Sequence, residues 1–253
     1  MSPFAVAFAV LGGSFGFAVV GMVLHRRVSD PHLDEKSRDV VKLVMGLIAT
    51  ISALVLSLLI SSSSASYNQQ VAQLRTLSAN LILLDRALES YGPDANAARA
   101  GLRDSVRQTH DRIWSPDGVR PEHLNSTETQ SSVKANVEQL QSLTPKTDLQ
   151  RMMQARIIQE TESVGRSRLL MFEALGDSIS TPFLTVLLFW ICMLFLGLGL
   201  LARFNVIVTG ALLVGSVSVA GAIFLILEMS NPYAGLMQMS DQPLLNAMAE
   251  MDR

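Results

Sequence analysis

The chain has 253 residues, of which 49% are hydrophobic and only 17% charged; its mean hydropathy is +0.33, a balance that argues against a soluble domain and for a membrane protein. The formal net charge of -2 supplies no global positive field, so no nucleic acid is expected as a partner. The one cysteine, Cys192, excludes an intrachain disulfide and a metal-thiolate cluster.

Four apolar runs are long enough for a hydrocarbon core about 30 Å thick, which needs about 20 residues of helix: Pro3 to Leu24, Val40 to Ile60, Phe183 to Ala202 and Phe204 to Leu227. The first has no positive residue at its start and is too long for a secretory signal, so it reads as a retained span. It holds Gly12-x-x-x-Gly16, a spacing suited to close helix packing.

The loop that follows carries His25, Arg26, Arg27, His32, Lys36 and Arg38 among Asp30, Asp34, Glu35 and Asp39. Arg26, Arg27, Lys36 and Arg38 can concentrate anions at a pore mouth, or serve as topology charges and lipid-headgroup contacts. The histidines and aspartates match no metal-ligand spacing, so no metal is expected.

From Asp39 to Asn68 a line of small and polar residues runs down a largely apolar helix. At about 100° per residue, Asp39, Gly46, Thr50, Ala53, Ser57, Ser61, Ser64 and Asn68 fall within about 60° of one line. Lipid penalises unpaired polar groups, so this line must meet protein or water. Two readings stand: close helix packing, or a pore lined by Gly46, Thr50, Ala53, Ser57, Ser61 and Ser64, whose hydroxyls replace part of an ion's hydration shell.

The polar block from 61 to 182 reads as helices. Val71, Leu74, Leu77, Leu81, Leu84 and Leu88 make one apolar face up to the stop at Tyr91-Gly92-Pro93, so a helix unbroken from about Lys36 would be about 80 Å long. Asp94 is expected to cap a helix with Leu102, Val106 and Ile113 inside, which ends before the turn-rich Ser115-Pro116-Asp117-Gly118. Asn125 with Glu128 suggests a capping box for a helix carrying Val133, Val137 and Leu140; Thr147 with Gln150 opens another, with Met153, Ile157, Val164, Met171, Leu175 and Ile179 inward. Thr181-Pro182 then marks a kink or break. Glu228 closes the fourth run beside Asn231-Pro232, as a mouth or hinge residue.

No segment alternates apolar and polar residues for long, so the expected fold is an all-α membrane protein. Four transmembrane helices form two hairpins (1–60 and 183–228), a helical extramembrane domain (61–182) is inserted between spans two and three, and 229–253 is a tail. The cationic loop and Arg203, between spans three and four, lie on one face. The positive-inside rule puts that face in the cytoplasm and the helical domain outside.

Three stretches resemble bacterial bestrophin-like membrane proteins: His32-Leu33-Asp34-Glu35-Lys36-Ser37-Arg38-Asp39-Val40-Val41-Lys42-Leu43 with Gly46-Leu47-Ile48-Ala49-Thr50; Tyr91-Gly92-Pro93 with Arg99 and Arg112-Ile113-Trp114; and Leu227-Glu228-Met229-Ser230-Asn231-Pro232-Tyr233-Ala234-Gly235-Leu236. The resemblance implies a homo-oligomer, a pentamer as in bestrophins, multi-pass in the bacterial inner membrane, that passes small anions such as chloride through a pore lined by the second span. The chain departs from bestrophins in having no Phe, Tyr or Trp between Phe17 and Tyr67, where their pores carry an aromatic neck. Bestrophins also keep their helical domain in the cytoplasm, opposite to the charge rule.

His110, Asp111 and His123 lie near Trp114, but nothing in the sequence fixes their distances. With no nucleophile motif, glycine-rich phosphate loop or His-x-x-x-His pattern, neither enzyme activity nor a cofactor is expected. The rival to a channel is a non-conducting membrane scaffold or sensor with an extracytoplasmic helical binding domain.

Overall fold

A computed structural model describes residues 2–27, 35–114, 143–174, 181–202, 204–233 and 235–253. Every regular element among them is helical: α1 (Pro3–Arg27), α2 (Glu35–Tyr91), a 3₁₀ turn (Pro93–Ala95), α3 (Asn96–Ile113), α4 (Asp148–Ala174), α5 (Thr181–Leu201), α6 (Val206–Met229) and α7 (Gln242–Met251). The expected all-α class holds among the described residues, and α1, α2, α5 and α6 are the four helices long and apolar enough to cross a membrane. The chain divides into two compact units, Met1–Ser66 with Ser178–Ser230, and Tyr67–Asp177 with Asn231–Arg253.

In the first unit α1 packs on α5 and α6 around Val10, Ala18, Met22, Leu187, Ile191, Phe195, Leu212 and Ile223. Lipid offers no hydrophobic drive between helices, so close van der Waals approach has to hold them. Two glycines permit it. A Cβ on Gly21 would collide with the Leu196 carbonyl, and one on Gly199 with the Ala18 carbonyl. By contrast, Gly12, Gly13 and Gly16 have open space around them in the protomer; the glycine of α1 that the crossing requires is Gly21, outside the Gly12-x-x-x-Gly16 pair. The buried hydroxyls of Ser14 and Ser216 donate to the carbonyls four residues back, at 2.8 and 2.9 Å, which satisfies them without water.

In the second unit the leucine face of α2 lies where its period predicts. Leu74, Leu77 and Leu81 join Val106, Ile113, Met171, Tyr233, Met239, Leu244 and Met251 in one cluster, and Leu84 and Leu88 join Tyr91, Ala98 and Ile157 in another. Helix α2 ends at Tyr91, and Gly92 takes a φ of 105°, a backbone conformation that disfavours other residues. The Thr147–Gln150 capping box is present: Gln150 N donates to Thr147 Oγ1 at 3.1 Å, and Thr147 N donates to Gln150 Oε1 at 3.3 Å.

Asp94 does not cap α3. Pro93 starts a 3₁₀ turn instead, Ala95 takes the cap position without a side-chain bond, and Asp94 pairs with Lys146 Nζ at 3.0 Å. Residues 229–253 hold helix α7, whose Leu244, Ala247 and Met251 are buried; this helix was not expected from the sequence. The segments of Ser115 to Gly118 and Asn125 to Leu140, with Leu175 and Ile179, lie outside the described residues.

Gly21→Ala or Gly199→Ala forces α1 and α5 apart and should lower stability by about 1–3 kcal/mol or more. Thermal unfolding of the detergent-solubilised protein measures this, and Gly12→Ala, into open space, should leave the melting temperature unchanged.

Candidate functional site

Helix α2 has two contrasting faces in the first unit. Met45, Ile48, Ser52, Val55, Leu56, Leu59 and Ser63 recur at helical spacing along one face and are buried or half-buried. Val55, Leu56 and Leu59 pack on the unit's core, and Met45 covers Gly197. At about 100° per residue, the line of small residues is centred roughly 150° around the helix from this packed face. It is accordingly uncovered in the protomer: Gly46, Thr50, Ala53, Ser57 and Ser61 are exposed and Ser64 is half-buried. Leu43, Leu47, Leu54 and Leu58 are exposed on or beside it. Thr50 Oγ1 donates to the Gly46 carbonyl at 2.8 Å, a bond that the hydroxyl can exchange for donation to an ion.

Among the cations named for a pore mouth, Arg26 lies at the end of α1 with its guanidinium 4.7 Å from the centre of the Phe204 ring, a cation–π pair. The side chains of Arg27, Lys36 and Arg38 lie outside the described residues, as do His32, Asp30 and Asp34. Asp39 and Lys42 form an exposed ion pair at 3.0 Å, of little energetic weight. Glu228, in the last turn of α6, is fully buried.

The second unit holds a charged cluster. Asp85, buried on α2, receives two bonds from Arg99, Nε to Oδ1 at 2.9 Å and Nη2 to Oδ2 at 2.8 Å. Arg103 adds longer ones at 3.3 and 3.4 Å. These bonds and the Asp85 charge hold the Arg99 guanidinium above its ordinary pKa despite its burial. Arg103 and Arg107 reach Asp252 beyond the end of α7, Arg103 at 3.9 Å and Arg107 at 2.8 Å. One helix face, with arginines four residues apart, thus ties α2, α3 and the end of α7 together.

Nearby, His110 stacks on Trp114 with ring centres 5.5 Å apart, its nitrogens 3.1 Å from Asp111 and 3.2 Å from Asp241. Trp114 Nε1 donates to the Met239 carbonyl at 3.1 Å. This anchors the segment leading into α7. His123 lies outside the described residues.

The family model of the bestrophin-like domain matches residues 12–244. The chain belongs to the bestrophin-like family. A crystal structure of a tryptophan-to-alanine mutant of a bacterial bestrophin homologue from Klebsiella pneumoniae has the same fold, with a TM-score of 0.69 at 12% identity over 99% of this chain and 97% of that one. No curated protein matches the chain.

In this bestrophin-like chain, residues that the sequence reading did not select stand out: Asp85, Arg103, Arg107 and Asp252. The signal was there in part. Arg99, Arg103 and Arg107 recur at four-residue steps, and Asp85 falls among the leucines of an apolar face where a carboxylate needs a partner. The missing information was that the partner lies on the next helix. Asp85→Ala leaves two guanidiniums without their shared carboxylate and should cost about 3–5 kcal/mol, read as a lowered denaturation midpoint.

Tyr233, outside the apolar helices, has its phenol pushed up to about 12 by burial, and its hydroxyl has no partner among the described residues. The fold thus favours the neutral phenol, whereas the unfolded chain ionises near pH 10. Its contribution to stability is complete below pH 10 and is lost as pH rises toward 12. Tyr233→Phe should flatten the fall of the melting temperature across that window without lowering it at neutral pH.

Proposed function

We propose that the chain is a homo-oligomeric membrane channel, a pentamer on the pattern of bestrophins, that passes small anions such as chloride passively through a pore lined by the second helix. Family membership supports the class of activity. The observation that carries the reading is the exposed line Gly46, Thr50, Ala53, Ser57 and Ser61, turned away from the face with which α2 packs in its own protomer. A weakly polar line has no reason to face hydrocarbon, and symmetric copies around an axis would stack its residues into rings. Ser64 would continue the lining, and Arg26, Arg27, Lys36 and Arg38 would gather anions at one mouth.

In this reading α1, the first half of α2, α5 and α6 are the four spans, in two hairpins within the bacterial inner membrane. Residues 61–182 form the extramembrane domain. Without an aromatic neck, a lumen of hydroxyls and small side chains has no ring of large side chains to narrow it, so its discrimination among small anions should be shallow. The non-conducting scaffold is the rival reading, supported by the unbroken helix Glu35–Tyr91, which can connect a binding domain to the spans.

Chloride flux in proteoliposomes tests the proposal. The purified protein should conduct, and Ser57→Phe should cut flux by about tenfold or more while the oligomer's elution volume stays the same. Absence of flux under every gradient overturns the channel, and undiminished flux in Ser57→Phe removes this line from the lumen.

A further inference from the structure

The arginine face of α3 does more than contact neighbouring helices: it is partly open to solvent. Its residues border an open groove of about 450 Å³ lined by Asn96, Arg99, Arg103, Asp104, Arg107 and Asp252. Arg99 is committed, with two short bonds to Asp85 and a third contact to Glu89 at 3.3 Å. Arg103 and Arg107 are less so. Arg103 shares Asp85 only at 3.3 and 3.4 Å, and Arg107, half exposed, grips both oxygens of Asp252 through one nitrogen at 2.8 and 2.9 Å.

Asp252 is a poorly placed owner of that grip. It is the C-cap residue of α7, and the C-terminal end of a helix carries partial negative charge that opposes a carboxylate. The arginines are what offset it. The side chain is also 45% exposed, so water reaches it already.

We propose that Arg103 and Arg107 form a phosphate-binding site, for inorganic phosphate or a phosphomonoester headgroup, which the chain's own Asp252 occupies as a competing ligand. Arg99, Arg103 and Arg107 together face Asp85, Glu89, Asp104 and Asp252, so departure of Asp252 removes the excess negative charge of the cluster and frees the donors of Arg107 and one side of Arg103. A phosphate brings more negative charge and more acceptor oxygens than a carboxylate. Two guanidinium forks suit that geometry.

Calorimetric titration of the full chain in detergent with inorganic phosphate tests this. Asp252→Asn should bind phosphate about tenfold tighter than wild type, and adding Arg107→Gln should abolish the gain. Equal binding by wild type and Asp252→Asn, or a gain that survives Arg107→Gln, overturns the site. Should Asp252→Asn fail to fold, Arg107→Gln in the wild-type background decides: loss of phosphate binding supports the site and unchanged binding overturns it. Micelles doped with phosphatidic acid, against phosphatidylcholine controls, distinguish the source. Binding of Asp252→Asn to phosphatidic acid alone identifies a lipid headgroup, binding to inorganic phosphate identifies the free anion, and binding to neither probe overturns the proposal.

Discussion

Helix α2 has to serve two environments with one unbroken backbone, and the other elements follow from that constraint. Between Val40 and Ile60 most side chains are apolar, so a polar position there needs protein or water opposite it. In its second half the surroundings are polar, so burial is selected by a leucine every three or four residues. A helix can change its demands along its length because each turn's backbone bonds are satisfied internally. Only the side chains change sides.

This explains why much of the architecture was legible in the sequence. The apolar runs predicted long helices because hydrocarbon forces regular backbone bonding, and the leucine period from Leu74 to Leu88 predicted the buried face. Gly92 and Pro93 marked a stop, and Thr147 with Gln150 marked a start through reciprocal local bonds. Helix α7 escaped notice because it is short: Leu244, Ala247 and Met251 are too few to stand out as a period. Asp94 misled because a capping residue competes with the proline before it, and Pro93 began the turn one residue early.

The charged cluster was harder to read for a different reason. Apolar periodicity is a property of one helix, whereas an ion pair is a property of two, and Asp85 lies 14 positions before Arg99. Burial of the carboxylate is tolerable only because two planar guanidiniums supply directed donors. The site on α2 stands between these cases. Its residue types were visible as a line, but only packing shows which side of the helix the protomer leaves uncovered.

The glycine crossing of α1 and α5 bears on how the protein is made. Gly21 and Gly199 meet partner carbonyls, yet nearly 180 residues separate them along the chain. At roughly 10 residues per second of synthesis, α1 leaves the ribosome well over ten seconds before its mate exists. During that interval its glycine-bearing groove lies open to lipid or to the insertion machinery. The Gly21–Gly199 crossing therefore cannot form until the second half of the chain has been made.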